Sequence, residues 1–108
     1  TEMSWAVLMA GGSCPDIPVK DKQFLHSVAA MQPAFHKDNV YLINDTGKDA
    51  VAYIGTENNT VSISLSKGIY DIYEIDSNSG DIKKMKTGVT INSNYLISSK
   101  GIYWLRKR

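Results

Sequence analysis

From residue 40 onward the chain alternates apolar and polar side chains in short runs: "VYLIN" (40 to 44), "AVAYIG" (50 to 55), "TVSISLS" (60 to 66), "GIYDIYEID" (68 to 76), "GVTIN" (88 to 92), "YLIS" (95 to 98) and "GIYWLRK" (101 to 107). A period of two sends successive side chains to opposite faces, so each run predicts a strand, and "DIKKMK" (81 to 86) predicts a weaker eighth. In "TVSISLS" the faces are explicit, with Val61, Ile63 and Leu65 on one and Ser62, Ser64 and Ser66 on the other. The runs are broken by "DTGKD", "TENN", "SKG", "DSNSG", "KTG", "SN" and again "SKG", in which Gly and Asn supply the backbone angles of tight reversals. Seven to eight short strands on such turns predict a mainly β protein, an antiparallel β-sandwich.

Before residue 37 the period is helical. Trp5, Leu8 and Met9 fall at i, i+3 and i+4, with Gly11 and Gly12 as a stop, which predicts a short first helix. "SCPDIPV" reads as an extended connector. Asp21 is placed to cap a second helix whose Phe24, Leu25, Val28 and Met31 form one apolar stripe, ending before Pro33. "MQPAFHKDN" reads as a linker. The expected division is therefore 1–36, one or two short helices adding little to the core, and 37–108, a sandwich with a complete core of its own. The helical stripe needs a partner, expected to lie outside the sandwich.

The length of 108 residues suits one compact domain. Twelve basic and eleven acidic side chains leave a net charge of +1, so no global field recruits nucleic acid or an anionic membrane. The lone Cys14 excludes an internal disulfide and a cysteine-based zinc cluster. "WAVLMAGG" (5 to 12) falls far short of the roughly 20 residues of a membrane-spanning helix. Only Thr1, Glu2, Met3 and Ser4 precede it, without a basic signal region, so the chain is expected to be mature or cut from a longer one.

Candidate chemistry changes this picture little. "DSNSG" has the look of a calcium loop, with Asp76, Asn78 and Gly80, but the Gly comes one place early and Thr87 stands where the bidentate Glu belongs. A hairpin turn is the better reading. His26 and His36 share no helical face and no zinc spacing exists. There is no G-x-S-x-G elbow and no phosphate-cradling G-x-x-x-x-G-K-[ST]. Asp38, Asp45, Asp49, Glu57, Asp76 and Asp81 lie in or beside turns, and Asp71 and Glu74 sit at odd separation on one strand and so face opposite ways. No catalytic, metal or cofactor-binding residue is nominated, and no cofactor is expected. Lys83, Lys84 and Lys86, and the group Arg106, Lys107 and Arg108, fit a lysine-blunted sheet edge better than a nucleic-acid site.

Aromatic residues are the suggestive feature that remains. A pyranose packs its C–H face on an aromatic ring while its hydroxyls need polar neighbours. Tyr73, Tyr95 and Trp104 are the candidate carbohydrate contacts. If Tyr70 and Ile72 point inward, Tyr73 is expected to lie outward beside Asp71, and Trp104, within "IYWL", reads first as core or interface. A binding module should expose these rings in a row; a packing domain should bury them.

One family matches the pattern. Its strand of the "v-x-l-x-L" kind is met by Val61, Ile63 and Leu65, and the following "Y-x-v-x-W-y-D-P-r-t-G" by Tyr70, Ile72, Ile75, Asp76, Ser79 and Gly80, with Glu74 in place of Trp and Ser77 in place of Pro. "VYLINDTGKDAVAYIG" resembles the family's opening hairpin. On these residues the chain resembles the collagen-binding-type β-sandwich domain that follows the (β/α)-barrel in a group of bacterial glycoside hydrolases and related secreted proteins, many from gut Bacteroidetes. The resemblance implies that 1–36 is the helical tail of that barrel and its linker, and 37–108 a non-catalytic accessory domain of a secreted or periplasmic enzyme. The implied partner is the catalytic barrel of the same polypeptide, with a carbohydrate- or matrix-binding module as the alternative and polysaccharide as its ligand.

Overall fold

The computed structural model describes residues 9, 19–37, 39–45, 48–55 and 60–108. Helix α1 (Lys22–Ala29) precedes eight strands: β1 (Gln32–Lys37), β2 (Val40–Asn44), β3 (Ala50–Ile54), β4 (Val61–Ser64), β5 (Gly68–Ile75), β6 (Ile82–Ile91), β7 (Asn94–Ile97) and β8 (Gly101–Lys107). They form two antiparallel sheets, one of six strands in the order β1-β2-β3-β8-β5-β6 and one of two, β4-β7. The β-sandwich predicted by the alternation is thus observed, with very unequal layers. The helix expected around Trp5 and Leu8, the Cys14 connector, Asp38 and the turn carrying Glu57 lie outside the described residues. No helix among the described residues is long and apolar enough to cross a membrane.

Two segments depart from the expected elements. The supposed linker carries β1, an edge strand paired with β2 from Gln32↔Asn44 to Lys37↔Val40, with an irregularity between Pro33 and Phe35. All six of its residues are exposed, so it has no buried face to impose alternation, and an edge tolerates the missing N–H of Pro33. The boundary drawn between 36 and 37 falls inside this strand.

The runs 81 to 86 and 88 to 92, expected as two strands, are the single strand β6. "KTG" is a bulge, not a turn: Ile72 opposes Lys86 while Tyr70 opposes Val89, so β6 spends three steps where β5 spends two. Gly88 takes φ 66°, a left-handed conformation costly for any residue with a Cβ. Asp71, facing the bulge, accepts the Gly88 N–H at 3.0 Å.

The six-stranded sheet carries a core on each face. On one, Leu42, Ala52, Tyr70, Ile72 and Leu105 pack with Ile63 and Ile97 of the small sheet and with Leu65 just past β4, and the serines of β4 turn outward as the alternation requires. This face also holds two copies of one device. The pentapeptide Ser-Lys-Gly-Ile-Tyr occurs at 66–70 and 99–103, opening the neighbouring strands β5 and β8. In each copy the tyrosine hydroxyl donates to the carbonyl of the serine four residues back, Tyr70 to Ser66 at 2.7 Å and Tyr103 to Ser99 at 3.0 Å. Each ring is buried, and each phenol keeps its hydrogen bond while pinning the entry to its strand.

The other face is covered in part by the N-terminal part of the chain. Asp21 caps α1 by accepting the Phe24 N–H at 2.9 Å. Phe24, Val28 and Met31, with Met9 and Val19, pack on Ile43, Val51, Ile75, Ile102 and Trp104. This corrects the expectation that the stripe meets a partner outside the sandwich: it covers the protein's own sheet, with Phe24 fully buried and only Leu25 turned to solvent.

Candidate functional site

Alternation along β5 and β8 decides where the candidate aromatics go. Tyr73 and Trp104 oppose each other in register, both pointing to the α1 side. Their ring centroids lie 5.2 Å apart at 33°, and Phe24 meets Trp104 edge-on, also at 5.2 Å. The Lys84 ammonium stands 5.6 Å from the Tyr73 ring and the Arg106 guanidinium 5.3 Å from Trp104. Trp104 is only 3% exposed, and Tyr73 is half-buried. Tyr95 belongs to β7 in the other layer, where it is half-buried against the opposite core with Lys86 6.0 Å from its ring. The structure therefore joins Tyr73 to Trp104 and separates both from Tyr95 by the thickness of the central sheet. Tyr73 takes the face opposite Tyr70 and Ile72, as the alternation predicts, but that face carries a second core, so the ring is half-buried and does not lie outward as expected.

Sequence reasoning passed over a second aromatic string. His36 stacks on Tyr41 at 4.0 Å and 12°, and Tyr41 meets Tyr53 edge-on at 6.0 Å, across the paired strands β1, β2 and β3. The register of the β2-β3 hairpin, Tyr41↔Tyr53, was the available signal; the third member depended on a strand that the pattern does not reveal.

The "DSNSG" segment is a turn built around its own carboxylate. Asp76 Oδ1 accepts the N–H groups of Asn78 at 2.8 Å and Ser79 at 2.9 Å, and Gly80, at φ 77°, donates its N–H to the Asp76 carbonyl. These backbone donors, Ser79 first and Asn78 second, hold the Asp76 carboxyl below its usual range. Asp71 is lowered likewise, by the Gly88 N–H and then by Arg108, whose Nη2 and Nε lie 3.0 and 3.2 Å from Oδ1. Burial, and next the nearby Glu74 charge, push the Tyr103 hydroxyl above its usual value.

Two clefts open at opposite ends of the large sheet. One, of about 530 Å³, lies between α1 and the β2-β3 turn and is lined by Lys22, His26, Ser27, Asp49 and Arg106 among others. Its Asp49 already serves structure, accepting the Ser27 hydroxyl at 2.9 Å and the Lys107 N–H at 3.0 Å, and so tying the helix to the central strand. The other, of about 500 Å³, sets Glu74, Asp76 and Asp81 beside Lys83 and Lys100. Asp76 is again committed to its turn. Among the described residues the buried Trp104 Nε1 meets no hydrogen-bond partner, and the indole is packed by Phe24 and Tyr73. Among the described residues no three His, Cys, Asp or Glu side chains gather as a metal-binding group. Comparison of the chain with protein-family models, with curated protein sequences and with solved structures gave no match in any of the three.

Proposed function

We propose that this chain is a non-catalytic accessory β-sandwich domain of a secreted or periplasmic bacterial glycoside hydrolase, packed on the enzyme's catalytic barrel and stabilising it. The observation that carries the reading over a sugar-binding module is the fate of the three candidate rings. Trp104 is buried under Phe24, Tyr73 packs on Trp104 and carries Lys84 beside it, and Tyr95 lies in the other layer. Among the described residues no row of open aromatic faces runs along a strand for a polysaccharide to follow. The family resemblance of the β5 strand and its turn supports the same role.

The non-catalytic part of the reading rests on the carboxylates. Hydrolysis of a glycoside needs two carboxyls facing across one bond, one of them kept protonated by a dry site. Asp71 is bound by Arg108 and Gly88, Asp76 by its turn amides, and Asp49 by Ser27 and Lys107, and both lowered carboxyls are shifted towards the ionised form. Assaying the chain and its parent polypeptide on the same plant and host glycans tests the role. Turnover is expected from the parent alone; turnover by the chain, abolished by changing one of its own carboxylates, would sink it.

A further inference from the structure

The α1 side of the large sheet is only half covered. Along β5 the side chains on this face run from Ile75, 2% exposed, through half-buried Tyr73 and Asp71 to Ile69 at 45%. Along β8 they run from buried Ile102 and Trp104 to half-buried Arg106 and then to Arg108, whose side chain is 51% exposed. Among the described residues the cover thus ends at the level of Trp104. Beyond it, register brings together groups far apart in sequence: β5 lies between β6 and β8, so Lys84 stands beside Tyr73, and Arg106 beside Asp71. The two basic clusters of the sequence meet here on one face. Three cations, Lys84, Arg106 and Arg108, surround one acid, and that acid already accepts from Arg108 and Gly88.

We infer that this open face, Ile69, Asp71, Tyr73, Lys84, Arg106 and Arg108, is where the domain docks on its partner, and that the partner is an acidic protein surface of the catalytic barrel; the inference rests on the accessory-domain reading. The patch charge, three positive against one negative with Arg108 paired to Asp71, favours a complementary negative surface. A protein fits better than a glycan or a nucleic acid. The Tyr73 ring already meets Trp104 and Lys84, so it is not open to stack a pyranose or a base, while the exposed Ile69 offers aliphatic area that only an apolar neighbour repays. This surface replaces the α1 stripe, which the protein's own sheet occupies.

The test begins with the coding sequence upstream of Thr1 and purification of the parent polypeptide. Lysine acetylation of parent and isolated chain is then compared by mass spectrometry. Lys84 is expected to react roughly tenfold or more slowly in the parent, the factor set by a docked-to-free ratio of about 10:1, with Lys20, Lys37 and Lys48 unchanged. Zero-length carbodiimide cross-links should join Lys84 to barrel carboxylates, and Lys84→Glu, at an exposed position, should abolish the protection and be rescued by reversing the linked carboxylate. Protection at Lys20 or Lys37 instead of Lys84 overturns the docking face and leaves the accessory role standing. A parent without a barrel overturns both. Retention of the isolated chain on an acidic polysaccharide or on DNA, lost in Lys84→Glu, would reassign the patch to that polymer and overturn the inference.

Discussion

The two faces of the six-stranded sheet are closed by different means. One meets a small sheet, and its core is chiefly aliphatic, with Tyr70 and Tyr103 sealed by hydrogen bonds to their own turns. The other meets a helix, and its core is rich in rings, with Trp104 in contact with both Phe24 and Tyr73 and Tyr41 and Tyr53 packed at its side. The first closure is complete across β5, where Tyr70 and Ile72 are both buried. The second stops at Trp104 and leaves cations and Ile69 in the open. A face covered by strands of the same alternating chain can be finished locally; a short helix covers only as far as it reaches, and among the described residues Ile69 and the cations beyond Trp104 are left without apolar cover.

The largest test of this contrast is removal of residues 1–36, which takes away α1 and most of β1 and strips Trp104, Val51 and Ile43 of their cover. The truncated chain is expected to lose cooperative thermal unfolding by circular dichroism; a melting midpoint within a few degrees of the full chain would show that the strand-covered face suffices. Single truncations weigh the faces directly. Phe24→Ala on the helix side should cost about 3–5 kcal/mol, and Ile63→Ala on the small-sheet side about 2–5 kcal/mol, both by denaturant titration. A Phe24→Ala loss below 1 kcal/mol would mark the helix as a loose cover.

Smaller effects sharpen the picture. Gly88→Ala should destabilise by about 1–2 kcal/mol, the cost of a left-handed backbone with a Cβ, since nothing crowds the position beyond ordinary contact with Arg108. Tyr70→Phe should cost about 0.5–1.5 kcal/mol, as Ser66 loses the phenol that its carbonyl binds and that its hydroxyl meets at 3.0 Å; Tyr103→Phe tests the second copy of the device. An unchanged stability in both would remove the corner hydrogen bonds from the account of this face. The gentlest test is acidification. Asp71 and Asp76 both titrate lower folded than the roughly 3.9 of a free carboxyl, so their contribution is whole above that pH and fades as the pH drops through the folded values. The fall in melting temperature between neutral pH and pH about 3 should shrink in Asp76→Asn, and a wild-type slope in that variant would show that the turn carboxylate is not linked to folding.

The architecture was legible where burial imposes a period. β2, β3, β5, β7 and β8 lie within a residue or two of their alternating runs, because each buries one face and turns the other outward or to the second core. β1 was not legible, since six exposed residues carry no periodic constraint and Pro33 reads as a breaker. "KTG" misled for a different reason: a left-handed Gly serves a bulge as well as a turn, and only pairing with β5 distinguishes them. The repeated "SKGIY" was visible in the sequence, but its meaning lies in a hydrogen bond to the residue four back. The candidate site was the least legible part. Sequence places Lys84 and Arg106 twenty-two positions apart, and only the insertion of β5 between their strands makes them neighbours.

The position of β8 has a consequence for the order in which this protein is made. β1, β2 and β3 pair in succession as they are synthesised, and β5 pairs with β6, but the two groups share no direct hydrogen-bonded edge. β8 alone joins them, pairing with β3 on one side and β5 on the other, and it brings Trp104 to meet Phe24 eighty residues earlier. A ribosome-bound chain that has not yet released Gly101–Lys107 therefore holds two unjoined half-sheets with open edges, and closure must await the last strand, a long-range step of the kind that makes β proteins slow to fold.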